Sequence, residues 1–267
     1  MKRVLSIQDL SCLGKCSLTV ALPVLSAMGC ACTPLPTAIL STHTAFPNPH
    51  IRCLTEDIAP TARHWQAVDA QFDVVSIGYL ADSMQATAIE TVLDAFEATV
   101  VLDPVMGDHG KRYNRLTPEH TEAIKQLCRR SAVLLPNVTE ACLLTGISYR
   151  EQADAAYYRE LLNSLRSLGA KAVVLTGAEL IPGQTGFIGF DGVEQFSYQT
   201  PRIPRQCHGT GDLFAAVVSG ALAKGKSIKD AATLAAQFVE QVLHTTPEAT
   251  PFGVEFESQL PWLWENM

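Results

Sequence analysis

The run Cys207-His208-Gly209-Thr210-Gly211-Asp212, followed directly by Leu213-Phe214-Ala215-Ala216-Val217-Val218, is the part of the chain most open to a chemical reading. Two glycines let the backbone turn tightly and aim several N–H groups at one point. The apolar run behind them predicts a helix, whose N-terminus adds the positive end of a dipole, so the turn is suited to a phosphate. Asp212 falls in the first turn of that helix. A carboxylate beside a bound anion is electrostatically unfavourable, and proton abstraction from an attacking hydroxyl is the task that accounts for it.

Two other phosphate motifs do not fit. Gly14-Lys15-Cys16 lacks a Ser or Thr after the lysine, and Asp9 stands where a Walker A loop has its first glycine. Gly209-x-Gly211 leads to Phe214 in place of a third glycine and lies late in the chain, against a dinucleotide fingerprint. Phosphoryl transfer without a P-loop is left. Cys207 and His208 could be read as a thiol and its base, but consecutive side chains point apart, which favours a loop closing over phosphates.

Such a site needs elements to hold it. Val4 to Ile7 reads as a short buried strand, and Gln8 to Lys15 as a polar connection to an apolar helix ending near Gly29, which Pro23 kinks or starts. Phe72 to Ile77 and Thr99 to Leu102 are further apolar strands, with a helical period over Met84 to Phe96 between them. After a polar insertion over Gly107 to Arg115, Thr117-Pro118-Glu119 predicts a helix start, with the helix running to about Arg130. Strand Ala132 to Leu135, a short helix from Thr139 stopped by Gly146, a helix over Glu151 to Leu168 and strand Ala172 to Leu175 follow. Thr185 to Phe190 and Val193 to Tyr198 flank Asp191-Gly192 as a hairpin. Helices from Asp212 to Gly225 and Ile228 to Leu243 come last, with Trp262 and Trp264 of the tail expected to dock on the body. The alternation predicts an α/β fold: a mainly parallel sheet between helix layers, with antiparallel strands at one edge and ligands beyond the strands' carboxyl ends.

Composition narrows the function further. The chain has 267 residues, 47% of them apolar, which suits a single domain spanning 1–267. A formal net charge of -7 argues against nonspecific nucleic-acid or anionic-membrane binding, so local groups must hold any anionic ligand. Neither a signal peptide nor a membrane-spanning run is legible, and a cytoplasmic location is expected. The 8 cysteines are scattered as in a reducing compartment, and the C-x-C of Cys30 and Cys32 and the C-x3-C of Cys12 and Cys16 lack a second half to complete a zinc set.

Polar residues stand where the apolar strands end: Gln8-Asp9, Gly78-Tyr79, Asp103, Asn137 with Glu140, and Thr176-Gly177. In a parallel sheet these ends share one edge, which becomes the expected active site. Asp103, Asp108 and Glu140 offer hard oxygen ligands suited to Mg2+, an ion that keeps several waters and bridges nucleotide phosphates. Singly each could be a cap or a surface charge; their shared placement gives the reading its weight.

The ordered set Ile7-Gln8, Ser41-Thr42-His43-Thr44, Gly78-Tyr79-Leu80, Asp103-Pro104-Val105-Met106-Gly107-Asp108, Pro136-Asn137 with Glu140, Thr176, and Gly209-Thr210-Gly211-Asp212 with Leu213 to Ala216 resembles the pyridoxal (vitamin B6) kinases of the ribokinase-like superfamily. The resemblance runs from near residue 4 to about residue 244. It implies a ribokinase-like three-layer sandwich, and transfer of the γ-phosphoryl group of ATP to the 5′-hydroxymethyl of a pyridine vitamer. By the same resemblance Asp212 is the base, the N–H groups of Gly209, Thr210 and Gly211 hold the transferring phosphate, and Asp103, Asp108 and Glu140 organise Mg2+. Asn137, Thr176 and Gly177 then touch the nucleotide phosphates, Thr37, His43 and Tyr79 meet the substrate ring, and the protein is a homodimer.

The chain departs from that pattern in two places. Asp9 replaces a serine found at the pyridine ring, and a carboxylate there is expected to handle pyridoxamine at least as well as pyridoxal. Hydroxymethylpyrimidine kinases also carry an aspartate after the first strand, so that substrate stays open, as does a noncatalytic vitamer-binding protein. Leu135 replaces a polar residue before the Pro-Asn pair. Thr37 and His43 could instead satisfy a loop and Tyr79 the core, while Lys15 and Lys111 are either phosphate partners or solvated surface charges.

Overall fold

The computed structural model describes residues 1–205, 207–248 and 250–267. The first half of the chain contains β1 (Arg3–Leu13), α1 (Leu18–Ala27), β2 (Ala31–Thr42), β3 (Ile51–Cys53), α2 (Thr55–Ala67), β4 (Val74–Ile77), α3 (Met84–Ala95) and β5 (Thr99–Leu102). The hairpin β6 (Gly107–Asp108) and β7 (Lys111–Arg112) precedes α4 (Pro118–Cys128), β8 (Val133–Leu134), α5 (Val138–Thr145), α6 (Ala155–Arg166) and β9 (Ala172–Thr176). The last third contributes β10 (Gln184–Phe190), β11 (Gln195–Pro201), α7 (Thr210–Ala223), α8 (Ile228–Thr245) and α9 (Leu260–Glu265).

Among the described residues one sheet runs in the order β11-β10-β9-β8-β5-β4-β1-β2-β3. Its centre, from β2 to β9, is parallel, and both edges are antiparallel through β3 on one side and β10 with β11 on the other. Strands buried on both faces need two cores, and two are present. One packs α2 to α6 against the sheet around Ile7, Ile77, Leu102 and Tyr157. The other packs α1, α7, α8 and α9 around Val4, Val101, Phe214 and Phe238. This is the three-layer α/β sandwich that the sequence predicts.

The structure corrects several boundaries. The segment from Gln8 reads as a polar connection, yet β1 continues to Leu13 because β2 pairs with it along its length. That partner strand was not legible: Pro34 and Pro36 argue against a strand, but β3 covers only Ala38 to Leu40 of β2, so the prolines occupy an edge. Within this pair the register slips from Gln8 opposite Pro36 to Leu10 opposite Ile39, a bulge opposite Asp9. α6 starts later than expected because the Asp154 side chain accepts from Tyr157 N–H at 2.8 Å and caps it there. Trp262 stacks on Phe238 at 6.2 Å, as expected of a docking tail, whereas Trp264 stays mostly exposed.

Candidate active site

α7 begins where a glycine is required. Gly209 has φ 92°, and a Cβ there would lie 2.2 Å from the Lys15 carbonyl oxygen, so neither the backbone angle nor the space admits a side chain. Thr210 and Gly211 follow as the first helical residues, with N–H groups that have no intrahelical partner. A Cβ on Gly211 would point to Asp103 Oδ2 at 3.9 Å, so the glycine turn faces the end of β5. The predicted anion turn and the predicted acidic strand end are therefore neighbours.

Asp212, in the first turn of α7, is partly exposed. Burial pushes its carboxyl up from 3.8 to about 7; the Ser17 N–H directed at it works against this, and the Asp9 charge adds to it. A carboxylate whose pKa lies near neutrality is suited to accept a proton at neutral pH.

Asp103 is only 9% exposed, and Glu140 is buried as well. Burial raises the pKa of both well above the carboxylate range; Asp212 adds to the rise at Asp103, and Asp103 to that at Glu140. Glu140 is held by Asn137 N–H at 2.8 Å and Met106 N–H at 3.1 Å. Asn137 returns the bond by accepting from Glu140 N–H at 2.9 Å, closing a capping box on α5. Asp108, on the β6-β7 hairpin, is about half exposed and accepts from the His109 N–H at 2.8 Å. Among the described residues no group of three or more His, Cys, Asp or Glu side chains forms a closed metal cage. Asp103 and Glu140, buried, and Asp108, half-exposed, are hard oxygen donors of the kind that suit Mg2+ held partly through waters and phosphates. Sequence reasoning missed Tyr113, whose phenol is raised by burial and then by the charges of Glu140, Asp108, Asp103 and Asp212. Its position beside four acids comes from the folding of the β6-β7 hairpin, to which no local signal points.

The predicted nucleotide residues sit one strand further along. Asn137 and Thr176 form an isolated parallel bridge that continues the β8-β9 ladder, and Thr176 Oγ1 donates to Pro136 O at 3.3 Å. Gly177 has φ 74° with open space where a side chain would be. Both polar ends of the Asn137 side chain are already used, since its Nδ2 donates to Gly107 O at 2.9 Å. Leu135 is buried in the α1/α7/α8 core, which explains its apolar character.

The residues assigned to the substrate ring lie within β1 and β2 and just past the ends of β2 and β4, and most are turned to the protein. Thr37 Oγ1 donates to Tyr79 O at 2.9 Å, and Tyr79 belongs to a core cluster with its phenol raised by burial to about 12. His43 is buried, bonded through Nε2 to Pro251 O at 3.0 Å and packed against the tilted His208 ring with centroids 4.7 Å apart. Asp9 is 3% exposed, and its two oxygens accept from Ser11 Oγ at 2.8 Å and Ser17 Oγ at 2.5 Å.

The C-terminal segment laces these pieces together. Lys15 N–H donates to Phe252 O at 2.6 Å, and Val254 N–H donates to His208 O at 3.0 Å, so residues 252–254 hold the Gly14 loop beside the Gly209 turn. Lys15 Nζ pairs with Glu257 at 2.8 Å on the surface, away from a free phosphate-binding role, while Lys111 is exposed on the hairpin. Cys207 Sγ lies 3.9 Å from Thr250 Oγ1.

A family model described as phosphomethylpyrimidine kinase matches residues 21–255. The thiamine biosynthesis bifunctional protein ThiED of Geobacter sulfurreducens is 32% identical over 188 residues, which is 69% of this chain and only 37% of that protein's length. The crystal structure of pyridoxal kinase from Lactobacillus plantarum superposes with a TM-score of 0.89 at 31% identity, covering 99% of this chain and 97% of that one. A protein from Bacteroides thetaiotaomicron assigned as a phosphomethylpyrimidine kinase, in an orthorhombic form with pyridoxal, gives 0.92 at 30% identity, with 98% and 95% covered.

Proposed function

Because the chain belongs to the phosphomethylpyrimidine kinase family, we propose that it transfers the γ-phosphoryl group of ATP to the 5′-hydroxymethyl of a pyridine vitamer of the pyridoxal or pyridoxamine type. The observation that carries this reading is a carboxylate of near-neutral pKa, Asp212, set one residue past a glycine-lined helix start and facing a buried acid. Asp212 takes the hydroxyl proton as the new O–P bond forms and the bond to the ADP oxygen breaks. The N–H groups of Gly209, Thr210 and Gly211 stabilise the charge on the moving phosphoryl oxygens. Thr176, Gly177 and Asn137 line the nucleotide phosphates, with Asn137 acting through the α5 cap it forms. Asp103, Asp108 and Glu140 would hold Mg2+, which supplies charge neutralisation on the phosphates when bound.

A second reading, phosphorylation of hydroxymethylpyrimidine, is favoured by the family description and by relatives from Mycobacterium bovis and Bacillus subtilis named hydroxymethylpyrimidine/phosphomethylpyrimidine kinase. Both substrates present a hydroxymethyl group on a flat nitrogen ring, so the same acid and anion turn serve either. The test is ADP formation from ATP and Mg2+ with pyridoxal, pyridoxamine, pyridoxine or hydroxymethylpyrimidine added singly. The expected result is alcohol-dependent ADP formation, highest in kcat/KM for a pyridine vitamer and lost on chelation of the metal. A higher kcat/KM for the pyrimidine would overturn the choice of substrate, and ADP formation that ignores all four alcohols would overturn the reaction.

A further inference from the structure

Four separate stretches of chain meet beside the start of α7: the β1-α1 loop at Gly14-Lys15, the end of β2 at His43, the turn at His208-Gly209, and residues 251–254. The Lys15 carbonyl oxygen lies between two glycines of positive φ. A Cβ on Gly209, at φ 92°, would stand 2.2 Å from it, and a Cβ on Gly253, at φ 104°, would stand 2.8 Å from it and 3.0 Å from His208 O. Both positions exclude a side chain unless the Lys15 carbonyl moves. The peptides flanking Gly253 are bonded to the same two neighbours, since Lys15 N–H donates to Phe252 O at 2.6 Å and Val254 N–H donates to His208 O at 3.0 Å. A shift of Gly253 is therefore passed to the loop and to the turn together. His43 anchors the segment from the other side. Its Nδ1 accepts from Ala45 N–H at 3.3 Å, which leaves the proton on Nε2, and Nε2 donates to Pro251 O at 3.0 Å. The imidazole fills the place of a side chain on Gly14, whose Cβ position is 2.5 Å from His43 Cδ2, and Phe46, 4.8 Å from His43, stacks on Phe252 at 5.6 Å.

We infer that Gly253 is a positioning residue for the anion turn: the C-terminal segment, anchored on His43, clamps the Lys15 carbonyl against Gly209 and so fixes where the N–H groups of Thr210 and Gly211 point. The inference rests on the reading of that turn as the holder of the transferring phosphoryl group. It gives His43 a role in the clamp in place of contact with the substrate ring.

Gly253→Ala pushes the Lys15 and His208 carbonyls apart and tilts the turn. Its kcat is expected to fall at least fivefold, with KM for the alcohol within about threefold of wild type, because the turn acts on the moving phosphoryl group and not on the bound alcohol. A smaller loss of kcat, or a larger rise in that KM, would overturn the inference. Gly209→Ala displaces the same carbonyl from its other side, so the double variant should lose no more than about threefold beyond Gly209→Ala alone. Losses that multiply in full would show two independent defects and overturn it. His43→Ala frees the segment from the β2 end without adding an atom, which keeps the test open if Gly253→Ala fails to fold. It is expected to lower kcat at least threefold and leave KM for the alcohol within about threefold, and a wild-type kcat or a larger change in KM would count against the clamp. A measurement without substrate separates the inference from the functional reading. The amide resonances of Thr210 and Gly211 should be displaced in Gly253→Ala or His43→Ala and stay in place in Gly183→Ala, a glycine of φ 79° with open space around it. Unmoved resonances, or equal displacement in Gly183→Ala, refute the clamp whether or not any alcohol is phosphorylated. Displacement confined to the clamp variants upholds it even if the four alcohols all fail.

Discussion

Replacing Asp212 with asparagine separates its chemistry from its electrostatic cost. Burial and the Asp9 charge hold this carboxyl at about 7 against an ordinary 3.8. The folded protein therefore prefers the neutral acid. Ionisation at position 212 costs nothing below about pH 4, costs more as pH rises from 4 to 7, and costs its full amount above 7. At about 1.36 kcal/mol per unit, a shift of roughly three units sets an upper bound of ~4 kcal/mol, and the partial exposure of Asp212 reduces this to about 2 kcal/mol. Asp212→Asn should thus be more stable than wild type by about 2 kcal/mol at pH 8 and equal to it near pH 4, read by urea denaturation in metal-free buffer. Turnover should fall by roughly 10²- to 10⁴-fold in the same variant. Wild-type kcat/KM should drop about tenfold from pH 8 to pH 6, whereas a base with an ordinary carboxylate pKa would lose almost nothing over that range. A variant less stable than wild type at pH 8, or one with undiminished turnover, would refute the reasoning.

Gly209→Ala places a methyl group against the Lys15 carbonyl oxygen and should lower kcat by about a hundredfold by displacing the anion turn. Gly146→Ala, at φ 78° but with open space around it, should cost about 1 kcal/mol in denaturation and leave kcat unchanged. Asn137→Ala removes both the α5 cap and the tie to Gly107. It should lower stability by about 1–2 kcal/mol in urea denaturation and raise KM for Mg-ATP more than KM for the alcohol.

Much of the fold was legible locally. Thr99 to Leu102, three apolar residues after a threonine, forms β5 with those same bounds, and the Thr117-Pro118 signal starts α4 where predicted. Asp191-Gly192 separates β10 from β11 as a hairpin turn should, and Gly146 ends α5 in a left-handed conformation. The segment from residue 31 to 67 was not legible, because Pro34 and Pro36 forbid a central strand and only the edge position of β2 makes them acceptable. Thr37 Oγ1 donates to the Tyr79 carbonyl, Tyr79 packs in a core cluster and Lys15 Nζ pairs with Glu257, and no local signal in the sequence gives these partners.

The order of glycine, threonine, glycine and aspartate placed a glycine turn and a carboxylate together at one helix start, since turn geometry acts over a few residues. The Asp9 charge that bears on that carboxyl comes from the first strand, at the far end of the chain. That it does so, and that Asp103 faces Gly211, was decided only when β1, β4 and β5 were laid side by side in one sheet and α7 was packed across them. Burial sets a pKa, and burial belongs to the packed layers as a whole, so no stretch of sequence can specify it alone.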